Sequence, residues 1–228
     1  MKIGRFVAAL PFMLLVFILI LGIVSPSVTV SAPIQPSRRV FIIDAGHGGV
    51  DGGATSCTGV LESAINLEIA LRLNKLMQLL GYETVMIRTT DTSVYTQGNT
   101  IAAQKLSDLK ERVRIVNDPE NGVLISIHQN TFSDSRYHGP QVFYGGDLSI
   151  SKDLGERLQT AMTTNLVPDS NRKCKKSSGI YLMEHIENPG VLIECGFLSN
   201  PREEAMLRDS VYQKKLCCII ASVMGACN

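Results

Sequence analysis

Beyond residue 38 the chain alternates short β-branched apolar runs with longer stretches whose apolar positions recur every three or four residues. The short runs predict strands at Val40–Asp44, Thr84–Arg88, Val123–His128, Gln141–Tyr144, Gly179–Met183 and Val191–Glu194. The longer ones predict helices at Ser63–Leu80, Ala103–Asn117, Ser151–Asn165 and Val211–Met224, with a short helix after Pro201. In the first helix Ile65, Ile69, Leu73 and Leu76 share a face, and Gly81 supplies a C-terminal stop. Strands alternating with helices predict an α/β fold: a single domain with a mostly parallel, twisted central sheet flanked by helices. Residues 89–102 and Val167–Ser178 show neither period and read as exposed loops; the second carries Arg172, Lys173, Lys175 and Lys176.

The N-terminal 24 residues follow a different pattern. Residues 7–24 carry no charge and follow Lys2 and Arg5, the arrangement of an export signal whose positive end stays inside. At about 1.5 Å per residue the run is long enough to cross a bilayer. Residues 1–24 are therefore read as a signal retained as a membrane anchor. Val30-Ser31-Ala32 resembles a cleavage site, but Pro33 would follow the cut, and its fixed φ fits a peptidase cleft poorly. The Ser- and Pro-rich residues 25–38 read as an extended linker, leaving 39–228 as the catalytic domain.

Lys and Arg (22) nearly balance Asp and Glu (21), so the chain lacks the basic excess of a nucleic-acid partner. The six cysteines include no C-x-x-C pair, and a domain of this size needs no disulfide framework. Most read as free, buried thiols; Cys57 and Cys174, in polar segments, leave pairing open.

Three predicted strands run into groups that bind metal or move protons, and the carboxyl ends of strands in open α/β sheets line the ligand crevice. The first leads to His47, set among glycines that allow close backbone approach. The third, otherwise apolar, ends at His128-Gln129-Asn130, and the last ends at Glu194. Glu62 stands at the N-terminal edge of the first helix, where the macrodipole favours an acid whatever its role. Together His47, Glu62 and His128 make the open three-ligand set of catalytic zinc, with a fourth position for water. Glu194, a carboxylate on an apolar strand, is an expensive placement unless it faces a functional crevice, and is read as the general base and acid. Asn130 is the candidate for orienting substrate, and Asp44 for supporting the site from behind. His138, before Gly139-Pro140, and His185, near Asn188-Pro189, lie in predicted turns and read as rim or surface residues.

These residues fall into four ordered blocks: Ile43-Asp44-Ala45-Gly46-His47-Gly48-Gly49 with Asp51-Gly52-Gly53-Ala54; Glu62; Ser126-Ile127-His128-Gln129-Asn130; and Ile193-Glu194-Cys195-Gly196-Phe197-Leu198-Ser199-Asn200. In this the chain resembles the zinc-dependent N-acetylmuramoyl-L-alanine amidases of the family-3 type, over Arg39 to the C-terminus. The resemblance implies one Zn2+ held by His47, Glu62 and His128, with Glu194 catalytic, and hydrolysis of the amide between N-acetylmuramic acid and L-alanine in peptidoglycan. Leu109-Lys110-Glu111-Arg112-Val113 and the Gly179–Met183 segment are similar to the sporulation-specific subgroup. That likeness implies a role in spore cortex maturation, where the freed muramic acid feeds lactam formation by a separate enzyme, and a location between the forespore and mother-cell membranes. Ala45, Gln129 and Cys195 depart from the family pattern of Pro, small or Leu, and Ala or Thr. Strand alternation puts Cys195 on the face opposite Glu194. Two alternatives stay open: a zinc peptidase acting on peptidoglycan stem peptides, and a non-catalytic wall-binding or regulatory protein. With no wall-binding module apparent, localisation is expected to come from the membrane segment or from a membrane-associated partner protein. The basic run Arg172–Lys176 reads first as a solvated loop and second as a clamp for stem-peptide carboxylates.

Overall fold

The computed structural model describes residues 39–226. The anchor expected at 1–24 and the linker at 25–38 lie outside the described residues. No helix among the described residues is long and apolar enough to cross a membrane.

Six strands, β1 (Val40–Ala45), β2 (Glu83–Met86), β3 (Gly122–Asn130), β4 (Gln141–Gly145), β5 (Lys175–Lys176) and β6 (Gly190–Phe197), form one sheet in the order β2-β1-β3-β6-β4-β5. The pairs β1–β2, β1–β3, β3–β6 and β4–β5 are parallel, and β4–β6 is antiparallel. The mostly parallel α/β sheet is thus the architecture the alternating pattern predicts.

Helix α1 (Glu62–Leu79), α3 (Leu148–Leu166), α5 (Pro201–Arg208) and α6 (Ser210–Gly225) cover one face. There Ile65, Ile69, Leu73 and Met77 of α1 meet Phe41, Ile43, Val123, Ile125, Ile127, Val191 and Ile193. Helix α2 (Ile101–Asn117) and the one-turn α4 (Tyr181–His185) cover the other, where Val116, Leu182 and Met183 pack on Ile42, Leu124 and Leu192. Alternation along the strands divides their side chains between these two layers. It places Cys195 fully buried in the α1 layer, away from the face of Leu192 and Glu194, as expected.

Two expected elements differ. Gly179–Met183 is not a strand: Tyr181–His185 forms the single turn α4, stabilised by the Tyr181 and His185 rings stacked at 3.8 Å. Five apolar residues carry too little periodicity to separate one helical turn from a strand. The basic segment is not wholly loop, since Lys175 and Lys176 pair with Phe143 and Tyr144 at the sheet edge. Cys57, Cys174, Cys195, Cys217 and Cys218 are all free, so the pairing left open for Cys57 and Cys174 is not made.

Candidate metal centre

The carboxyl ends of β1, β3 and β6 converge, because β1 and β3 flank one another and β3 pairs with β6 so that His128 and Glu194 are register partners. His47 follows β1 in a left-handed conformation (φ 61°), unusual for a residue with a side chain and often a sign of functional constraint. The loop after it docks on the start of α1. Glu62 N–H donates to the Ala54 carbonyl at 2.8 Å and Ser63 N–H to that of Gly52 at 3.1 Å. These bonds satisfy two of the orphan donors at the helix N-terminus, which has no side-chain cap, and set Glu62 at its first position.

Glu62 is the hub. Its Oε1 lies 3.0 Å from His128 Nδ1 and accepts the Gln129 N–H at 3.1 Å and the Asn66 amide at 3.2 Å. Its Oε2 lies 3.3 Å from His47 Nε2 and accepts the Ala54 N–H at 3.0 Å. One ligand atom from each of His47, Glu62 and His128 falls within 4.8 Å of the others. Burial pushes the Glu62 carboxyl upward, but the hydrogen bonds and charges of the two imidazoles hold it far below the usual carboxylate range. Burial lowers His47, yet Glu62 and Asp51 outweigh it and raise the ring to about 9. A site that holds a proton this firmly is electronegative, and the same field attracts a divalent cation.

Glu194 differs from every other carboxylate in the site. Its Oε2 is buried and has no hydrogen-bond partner, and burial raises its carboxyl to about 7. An orphaned buried oxygen costs free energy, so its persistence beside two histidines fits a group kept for chemistry or for a ligand. Asn130 occupies the end of β3; its Oδ1 accepts the Thr131 N–H at 2.8 Å and its carbonyl the Leu198 N–H at 2.8 Å. His138 and His185 are exposed and are not part of this cluster, each lying within hydrogen-bond distance of a nearby carbonyl.

Behind the site stand groups that the sequence reading does not assign. Asn66, fully buried, bonds both Glu62 and the Gly46 carbonyl. Arg88 donates to the carbonyls of Ala45, Gly46 and Ser63 at 2.7–3.0 Å. Arg112, also buried, pairs with Asp44 and Asp108 and donates to the His47 carbonyl at 2.8 Å. Asp44 also accepts from Ser126, so its expected supporting position is occupied. The available signal for Asn66 was a polar residue on the apolar stripe of α1. A cleft of about 340 Å3 opens onto His47 and His128, walled by Val50, Leu109, Tyr181 and Leu192.

The fold and site define an α/β protein whose sheet carries, at its carboxyl edge, a His-Glu-His group that could hold a metal ion. The profile of the N-acetylmuramoyl-L-alanine amidases matches residues 41–224. The germination-specific N-acetylmuramoyl-L-alanine amidase of Bacillus subtilis is 37% identical over 181 residues, 79% of this chain and 76% of that protein. The CwlD amidase from Clostridioides difficile, solved in complex with the GerS lipoprotein, superposes with a TM-score of 0.79 at 36% identity, covering 83% of this chain and 98% of that one. An N-acetylmuramoyl-L-alanine amidase from Clostridium difficile 630 gives 0.70 at 28% identity, covering 83% and 96%. The chain therefore belongs to the N-acetylmuramoyl-L-alanine amidase family, hydrolases of the amide that joins the stem peptide to the glycan of peptidoglycan. Family membership sets aside the peptidase and non-catalytic alternatives.

Proposed function

We propose that His47, Glu62 and His128 hold one Zn2+, that Glu194 is the proton carrier, and that the enzyme acts on spore cortex peptidoglycan. The observation that carries the reading is the convergence of three ligand atoms within 4.8 Å beside a carboxylate whose buried Oε2 has no partner. Two imidazoles and one carboxylate suit zinc, which when bound supplies a Lewis acid and a water of lowered pKa. Glu194, strand partner of His128, takes a proton from the attacking water and returns it to the departing L-alanine amine. Asn130, two residues beyond His128 at the end of the same strand, orients the substrate. Asp51 accepts from or shares the proton of His47 Nδ1 at 2.9 Å, fixing the ring through its second nitrogen.

The cortex role is supported by the B. subtilis and C. difficile relatives. Residues 1–24 would bring the catalytic domain, residues 39–228, to the outer face of a membrane. The lipoprotein bound to the C. difficile relative makes a membrane-tethered partner the natural candidate for this chain.

The test is metal content of the detergent-solubilised full chain beside its His47→Ala variant, with both incubated on isolated cortex peptidoglycan. About one zinc per chain, lost with His47 together with the release of intact stem peptides, is the expected result. Metal-free protein that still releases them would overturn the site.

A further inference from the structure

Loops 131–140 and 167–175 enclose a second cleft, of about 790 Å3, lined by Arg136, His138, Gln141, Arg172, Lys173 and Lys175 together with Asp134 and Asp169. It begins beside the chemistry: Gln141 is the antiparallel register partner of Glu194. Arg172 ties the two regions together. Its Nη1 donates to Gln141 Oε1 at 3.4 Å and its Nε to the His138 carbonyl at 3.0 Å, while the guanidinium lies 4.8 Å from the centre of the Phe197 ring. Phe197 stands three residues beyond Glu194 on β6, opposite Asn130.

The rim is built, not loose. Glu203 accepts the Gly139 N–H and the Phe197 N–H, each at 2.8 Å, so one carboxylate fastens the first loop to the strand that carries Glu194. Lys175 is pinned to the sheet edge opposite Phe143. Three of the cations, however, have no carboxylate partner among the described residues. Asp134 is engaged by Arg136 at 2.7 Å and Glu203 by backbone, and none of Arg172, Lys173 and Lys175 forms an ion pair among the described residues. Cations gathered at a concave surface beside the strand that carries Glu194 call for an anion, and Arg offers a planar fork suited to carboxylates.

We propose that this cleft binds carboxylate groups of the stem peptide and holds the peptide while its bond to the glycan is cut. The proposal rests on the amidase reading. Phe197 is about 10 Å beyond Glu194 at about 3.3 Å per extended residue. Carboxylates two to four residues from the scissile bond therefore fall within the cleft, and a stem peptide that is not cross-linked through its C-terminus ends in one.

The test is binding of a synthetic stem peptide, fluorescently labelled at its N-terminus, to the full chain, against the same peptide with its carboxylates converted to carboxamides. The variant is Lys173→Glu/Lys175→Glu, both exposed positions. Wild type is expected to prefer the acid by about tenfold at low salt, with the preference shrinking as salt rises. The variant should lose it with melting temperature and metal content unchanged, and should raise KM on peptidoglycan at constant kcat. Equal affinity of wild type for the two peptides, or an undiminished preference in the variant, overturns the proposal. Carboxylate-dependent binding by a chain that hydrolyses nothing would sustain the cleft and overturn the amidase reading instead.

Discussion

Asn66, one helical turn after Glu62, gives one amide hydrogen to the Glu62 carboxylate at 3.2 Å and the other to the Gly46 carbonyl at 3.1 Å. It thereby locks the acid on α1 to the loop that carries His47. Its own Oδ1 accepts from Gln129 at 3.1 Å, which extends the lock to the residue after His128. Asn66→Ala should weaken zinc affinity by about 10- to 100-fold, the usual effect of removing a group that orients a ligand. Competition with a chelating dye measures it, and an unchanged affinity would show that Glu62 is held well enough without its amide.

Glu194→Gln separates chemistry from binding. Hydrolysis should fall at least about 100-fold, the lower range for a lost general base, while zinc stays bound. Stability gives a second, independent readout. The folded Glu194 carboxyl titrates at about 7 against an ordinary 4.5, so the native state is favoured below the ordinary value and loses that advantage as pH rises to about 7. In metal-free protein at pH 8 the Gln variant should therefore melt roughly 5–10 °C above wild type, with the gap narrowing toward pH 5. A variant that melts lower at pH 8 would contradict the burial argument.

The Arg112–Asp44 pair lies beneath the site and is nearly inaccessible to water. Burial pushes Asp44 up, but Arg112, His128 and Ser126 together bring it below its ordinary 3.8. A depressed carboxyl stabilises the fold above its unfolded value, and that stability goes as pH falls through the lower native value. Asp44→Asn should cost about 3 kcal/mol, the low end for breaking a buried pair, because Arg112 keeps Asp108 at 2.6 Å. Denaturation as a function of pH should show the difference between variant and wild type narrowing below pH 4.

Gly46 has no room for a side chain, since a β-carbon there would overlap the His128 ring. Gly46→Ala should retain the folded sheet by circular dichroism while losing zinc at stoichiometric concentrations. Full metal content in that variant would mean that His128 can ligate from another rotamer.

The sequence made the strand ends legible because their signals are local: an apolar run closing on His47, His128 or Glu194 can be read without knowing what lies beside it. It also made five helices legible through their apolar period. What it could not reveal depends on contacts between distant segments. Arg88 reads as a strand residue until its carbonyl partners at Ala45, Gly46 and Ser63 are seen, and Arg112 is legible only as part of the Leu109–Val113 block, without its bonds to Asp44 and the His47 carbonyl. Tyr181–His185 was misread because its helical turn is stabilised by packing on Ile42 and Leu124 that no five-residue window contains. Lys175 and Lys176 were hidden for the same reason, since two residues become a strand only by pairing with β4.

The place of β6 between β3 and β4 bears on how the molecule comes into being. A nascent polypeptide that has not yet reached Gly190 already contains His47, Glu62 and His128, but its half-sheets have nothing to join them. Glu194, the proposed proton carrier, arrives on the very segment that closes the gap. Closure of the sheet and completion of the proposed site therefore wait on the same strand.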